Sequence, residues 1–366
     1  MIEGRANTEG TRRFAQRAKA APGHFREIRG LSLSSIGLGT YLGDEDAATD
    51  SGYEAAVGAA LQSGVNVFDT AINYRGQKSE RAIGRALARA LREGVARRDE
   101  VFISTKGGYF PHDADDPRPP RRYAQEMFLE TGLAPAAEVA QGVHCMAPGY
   151  LRDQIDRSRA NLGLETIDLY YLHNVETQLA AVDRSTFRGR LVRSIEALEE
   201  AAAAGKITSW GLATWDGLRV PPEHPEHVSL REVLDLAREV GGAGHHFGGV
   251  QLPVNLAMAH GVAYRSQDTP NGRVPALEAA RSFGLAAFGS ASILQGKLAA
   301  GDLSEDVVEA FPEGGSSAQR ALQFARSAPG MTAALVGVSS PEHAVENFAL
   351  AGVEPAQAER VLGLFT

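Results

Sequence analysis

Eight short apolar runs, rich in β-branched residues, recur along the chain at 35–38, 66–68, 101–104, 167–172, 208–212, 249–252, 285–288 and 333–336. Each is followed by an Ala/Leu/Arg/Glu-rich segment at helical spacing: 53–63, 79–92, 151–162, 191–204, 230–240, 275–282, 318–327 and 341–350. Strands that alternate with helices predict a parallel sheet with crossover helices. Eight such units are the number that closes a barrel. An open doubly wound sheet would carry a Gly-x-Gly-x-x-Gly turn leading from its first strand into a helix. Here the first run ends in Gly37-Leu38-Gly39-Thr40-Tyr41, which neither completes that pattern nor opens a helix. The predicted fold is therefore an α/β (β/α)8 TIM barrel. Three long connections, 107–149, 215–229 and 257–274, follow strands and so fall on its C-terminal face, where barrel enzymes build their sites.

The barrel accounts for residues 26–366 as one domain, within what 366 residues can fold around a single core. Residues 1–25 are polar and basic and are expected to form a flexible arm. Ile2-Glu3-Gly4-Arg5 matches a protease-cleavage linker used in recombinant expression, so residues 1–5 read as a tag remnant. A formal net charge of -8 argues against nucleic acid or an anionic membrane as a partner. No apolar run reaches the roughly 18 residues of a membrane span, and no signal peptide is evident, so a cytoplasmic location is expected. A small-molecule substrate is the expected partner, with homo-oligomer formation left open.

Barrel enzymes keep their reactive groups at strand C-termini. The second strand ends in Asp69, the third in Thr105-Lys106 and the fourth in His173; the sixth contains Gln251. Tyr74 lies on the loop five residues past Asp69. A lysine and an aspartate facing one mouth would pair. The lysine charge would then favour a nearby phenolate and lower the pKa of Tyr74 as a general acid. His173 would hydrogen-bond a substrate oxygen. The set suits proton delivery to a carbonyl oxygen while another group delivers hydride to the carbon.

Other clusters read as structural. His144-Cys145-Met146 includes the only cysteine, which is expected to be a small buried hydrophobe. His245, His246 and His260 lack the carboxylate or cysteine spacing of a zinc site, and no metal is expected. Arg118, Arg121 and Arg122 flank prolines on a solvated loop.

Between residues 26 and 350 the chain resembles the aldo-keto reductase superfamily. The resemblance rests on residues 30–40, Phe68-Asp69-Thr70-Ala71 with Tyr74, Ser79-Glu80, Gly84 and Ser104-Thr105-Lys106. It continues through residues 168–173, Gly205-Lys206-Ile207, and Pro341-Glu342 with Glu346-Asn347. It implies a carbonyl-reducing oxidoreductase that binds NADP(H), with NAD(H) the other candidate, without a Rossmann fold. It also implies a catalytic set of Asp69, Tyr74, Lys106 and His173, with Tyr74 as the proton donor. Cofactor residues carried over are Gly39, Thr40, Tyr41 and Asp69 at the nicotinamide end, Gln251 at its carboxamide, Ile293, Gln295 and Gly296 along the pyrophosphate, and Glu346 and Asn347 at the adenine. The sequence also departs from the family. Ala213-Thr214 stands where a Ser-Asn pair is usual, and Ser290 where a tyrosine stacks on the nicotinamide. At the 2′-phosphate, His343 and Gly337 stand where cationic side chains are usual, with Ser339 and Ser340 close by. An imidazole or a hydroxyl supplies none of arginine's fixed charge and forked geometry. These departures motivate an alternative: a redox-neutral lyase, isomerase or cyclase on the same barrel, with a degenerate cofactor site.

Overall fold

All eight predicted strands form, and they close on themselves. The computed structural model describes residues 1–338 and 340–365, so Ser339 lies outside the described residues. The first two strands, β1 (Phe25–Ile28) and β2 (Leu31–Ser34), form a hairpin ahead of the barrel. The two-residue turn of that hairpin, Arg29-Gly30, has both residues at positive φ, the twist that suits a hairpin. The barrel strands are β3 (Ile36–Gly39), β4 (Val67–Asp69), β5 (Phe102–Gly107), β6 (Ile167–His173), β7 (Ile207–Ala213) and β8 (Phe247–Pro253). A small hairpin, β9 (Gln267–Thr269) with β10 (Gly272–Val274), stands apart from the barrel. The last two barrel strands are β11 (Ala286–Ser290) and β12 (Ala333–Gly337). The order β11-β12-β3-β4-β5-β6-β7-β8 is closed by β11 pairing with β8, and every pair is parallel.

Strands covered on both faces read as unbroken apolar runs, and β5, β6 and β8 are buried along their whole length. The crossover helices bury one stripe each. Helix Lys78–Arg92 turns Ala82, Ile83, Ala86, Leu87 and Ala90 inward. Its Gly84 meets the neighbouring helix, Pro148–Leu162, so closely that a Cβ would stand 2.7 Å from the Leu162 carbonyl oxygen.

Within the first 25 residues, expected as a flexible arm, residues 8–17 form a helix that packs against the barrel. Asn7 caps helix Thr8–Arg17 by accepting from the Gly10 N–H at 2.7 Å, and Phe14 is buried. Arg13 bonds Glu100 at 2.9 Å, and the Ala6 N–H donates to Asp168 at 2.7 Å. Ile2, within the stretch read as a tag remnant, pairs with Leu164. Ala6 and Leu33 pack with the interior side chains Val67, Phe102, Leu169, Phe288 and Leu335, which closes the barrel floor.

The 107–149 connection folds around its own small core of Tyr123, Phe128, Ala134, Cys145, Ala147 and Tyr150. Cys145 is a buried free thiol, and burial pushes it up to about 11. Arg118 and Arg122 are engaged by Asp116 and Glu126. Among the described residues no helix is long and apolar enough to cross a membrane.

Candidate active site

The register brings the chemistry-bearing residues to one end of the barrel. Asp69 pairs with Ser104 on β5, Lys106 with Tyr171 on β6, His173 with Ala213 on β7, and Ala213 with Gln251 on β8. Lys106 Nζ donates to Asp69 Oδ2 at 2.5 Å and to the Thr70 carbonyl at 2.8 Å. The other carboxylate oxygen, Oδ1, accepts from Ser104 Oγ at 2.7 Å and Gln251 Nε2 at 2.9 Å. Both charges are buried, and paired, hydrogen-bonded groups are the form in which burial is tolerated.

Tyr74 opens a tight turn whose next three residues, Arg75, Gly76 and Gln77, all lie in the left-handed region (φ 50°, 54° and 70°). Left-handed backbone costs roughly 1–2 kcal/mol per non-glycine residue, so something must hold it. Arg75 Nη2 pairs with Asp50 at 2.7 Å and Nε with the Asp44 carbonyl at 2.7 Å, while Gln77 Nε2 donates to the His112 carbonyl at 3.0 Å. Gly76 is required twice over, because a Cβ there would stand 2.7 Å from that of Ala114. The turn holds the Tyr74 ring edge-on to Tyr41 (centroids 5.0 Å apart) and His173 (5.9 Å), with Lys106 Nζ 4.9 Å from its centre.

The Tyr74 pKa is raised, not lowered as expected. Burial, then the Asp69 carboxylate and Tyr41, push the phenol well above its ordinary value. The Lys106 ammonium is committed to Asp69 and Thr70, and it meets the ring. Burial also lowers the Lys106 pKa, against the opposing pull of Asp69. Burial, with Lys106 and His144 nearby, lowers His173 well below its ordinary range, so it is neutral at physiological pH. Its Nδ1 is buried without a hydrogen-bond partner among the described residues.

These groups open onto a cavity of about 520 Å³. Of the predicted residues, Gly39, Thr40, Tyr41, Asp69, Tyr74, His173, Thr214, Gln251, Ser290, Ile293, Gln295 and Gly296 line it, together with Ala213, Trp215 and Gly337. Lys106 sits beneath, fully buried. His343, Glu346 and Asn347 are on helix Pro341–Phe348 beyond β12, outside the lining. Tyr109, Asn73, Asn174 and Ser292 also line the cavity and were missed. Tyr109 lies three residues past Lys106, a strand-end position that could have drawn notice. Its ring meets His173 edge-on at 5.2 Å, and its hydroxyl lies 2.9 Å from Thr177 Oγ1.

The wall formed by β7, β8 and the turn after β11 fits a dinucleotide. Thr214 Oγ1 is buried in it with no partner among the described residues, free for an amide such as a nicotinamide carboxamide. Asn347 Oδ1, on the adjoining helix, is likewise buried and free. The turn after β11 holds Ala291, Leu294 and Gln295 at φ 52°, 49° and 54°, steadied by Asn255 Nδ2 on the Ala291 carbonyl at 3.0 Å. Strained backbone of this kind concentrates at ligand sites.

Comparison with known proteins agrees with this architecture. A model of the aldo/keto reductase family matches residues 35–221, just over half of the chain. A 6-dehydroglucose reductase of Novosphingobium aromaticivorans is 26% identical over 199 residues, 53% of this chain and 52% of that protein. An aldo-keto reductase of Mycobacterium avium is 29% identical over 204 residues, 55% and 52%. An NADH-dependent D-xylose reductase of Candida parapsilosis is 32% identical over 77 residues, 21% of each chain. The chain thus spans about half the length of the first two relatives and a fifth of the third. Among solved structures, an aldo/keto reductase from Klebsiella pneumoniae in complex with NADP and acetate superposes with a TM-score of 0.61 at 22% identity, covering 93% of this chain and 94% of that one.

Proposed function

Because the chain belongs to the aldo/keto reductase family, we propose that it is an NAD(P)H-dependent oxidoreductase that reduces an aldehyde, a ketone or a related C=X bond. The observation that carries this reading is the convergence of Tyr74, His173 and the Asp69–Lys106 pair on one cavity beside a wall with a free buried hydroxyl. In it Tyr74 is the proton donor. A phenol held above its ordinary pKa keeps its proton at neutral pH, the state a general acid needs. The Lys106 charge favours the phenolate left once that proton has moved to the substrate oxygen. Neutral His173, a lining residue of the cavity, orients the substrate oxygen. Bound NAD(P)H would supply hydride to the carbonyl carbon. Gly39, Thr40, Tyr41, Thr214, Gln251 and Ser290 would hold its nicotinamide end, Ile293, Gln295 and Gly296 its pyrophosphate, and His343, Glu346 and Asn347 its adenine end.

The lining suits a substrate recognised through aromatic faces and amides. No lysine or arginine lines the cavity among the described residues, and its one carboxylate, Asp69, is already paired. Tyr41, Tyr109 and Trp215 offer aromatic faces, and Asn73 and Asn174 offer amides. That mix accepts hydroxylated carbonyl compounds, in keeping with the sugar substrates in the names of two relatives. The test is a fluorescence titration with NADPH and NADH, followed by turnover on a panel of neutral aldehydes and ketones. Micromolar cofactor binding with turnover supports a reductase. Absence of binding refutes it in favour of the redox-neutral alternative.

A further inference from the structure

Glu176 has no part in the chemistry proposed above, yet it is a buried carboxylate three residues past His173. Its Oε1 accepts from the backbone N–H groups of Trp215 at 2.6 Å and Asp216 at 3.1 Å, with Gly217 at the 3.5 Å limit. No cation pairs with it among the described residues, and burial pushes it above the usual carboxylate range. A charge in such surroundings is tolerated only because those donors meet it.

The segment it grips leads straight out of the cavity wall. Ala213, Thr214 and Trp215 are consecutive lining residues, and Thr214 carries the free hydroxyl. The backbone is held on the inner side as well: the Asn174 N–H donates to the Ala213 carbonyl at 2.6 Å and the Thr214 N–H to the Gln251 carbonyl at 2.8 Å. Beyond Thr214, Glu176 takes over. Gly217 completes the fit, since a Cβ there would stand 2.9 Å from Val228 Cγ2 and 3.4 Å from Glu176 Oε2.

We propose that Glu176 is a positioning residue that fixes Thr214 and Trp215 in the cavity wall by binding the 215–217 backbone, and so sets the affinity of the site for nicotinamide and substrate. The binding consequence rests on the reductase reading; the structural one does not. The chain has two tryptophans. Trp210 is fully buried with its indole N–H on Glu199 at 2.7 Å, whereas Trp215 is 40% exposed. Acrylamide quenching of tryptophan fluorescence therefore reports Trp215.

In Glu176→Ala, quenching should increase. KM for cofactor and for carbonyl substrate should each rise roughly tenfold, about the loss of one charge-assisted hydrogen bond, while kcat changes less. Glu176→Gln keeps an oxygen for the same N–H groups and should restore quenching to the wild-type level and recover most of the KM loss. A folded Glu176→Ala with wild-type quenching and KM values would overturn the proposal, as would a Glu176→Gln as impaired as the alanine variant. If Glu176→Ala does not fold, Gly217→Ala, which presses on the clamp from outside the cavity lining, should show the same changes, and wild-type values there would overturn it. If the wild-type protein turns over no cofactor, the reductase reading falls, and quenching still decides the anchor.

Discussion

Replacing Asp69 with asparagine would strand the ammonium of Lys106. That ammonium is fully buried and has two acceptors, the Asp69 carboxylate and the Thr70 carbonyl. Removing one partner of a buried pair costs about 3–5 kcal/mol, because the other charge is left uncompensated. At about 2.1 cal/mol/K per residue, the 366-residue chain has an unfolding entropy near 0.77 kcal/mol/K. Asp69→Asn should therefore lower Tm by roughly 4–6 °C. Lys106→Met should cost less, since Ser104 and Gln251 still donate to the Asp69 carboxylate. The double variant removes both charges, so it should melt above Asp69→Asn while remaining inactive. Calorimetric melts of the four proteins close the cycle. Strictly additive losses, with the double variant less stable than either single one, would refute the coupling.

Two further predictions concern pH and cofactor choice. Buried His24 and His144 both have their pKa lowered to about 4, mainly by burial. The unfolded chain binds protons at these sites from about pH 6.5 downward while the native state does not, so stability falls as the pH drops. The pair should cost roughly 3–4 kcal/mol between pH 7 and 5, and a urea midpoint unchanged over that range would contradict it. His343 is exposed on helix Pro341–Phe348, and the family resemblance implies that it meets a 2′-phosphate. His343→Arg should tighten NADPH binding roughly tenfold through one charge-assisted contact and leave NADH unchanged. An unaltered NADPH-to-NADH ratio in the titration would show that the phosphate lies elsewhere.

The barrel was legible because strands buried on both faces write themselves as apolar runs, and each predicted run lies within or overlaps an observed strand. Helix Thr8–Arg17 escaped notice because it buries only Gly10, Thr11 and Phe14 in an otherwise half-buried or exposed basic stretch. Asp69, Tyr74, Lys106 and His173 could be read as strand-end chemistry, but the direction of the Tyr74 shift could not. Charge type is visible in a sequence, whereas the fact that Lys106 meets the ring, with its hydrogen bonds already committed, is a matter of packing. Glu176 was invisible for a related reason: its partners are backbone N–H groups forty residues on, and these have no letter in the sequence.

The most direct test of the central claim compares wild-type protein with Tyr74→Phe. NADPH consumption is followed with a neutral aldehyde, and cofactor affinity is measured alongside. If Tyr74 is the proton donor, the wild type consumes cofactor, and the phenylalanine variant loses on the order of 10²–10⁴ in kcat with its cofactor affinity intact. A variant that turns over as fast as the wild type would contradict the account.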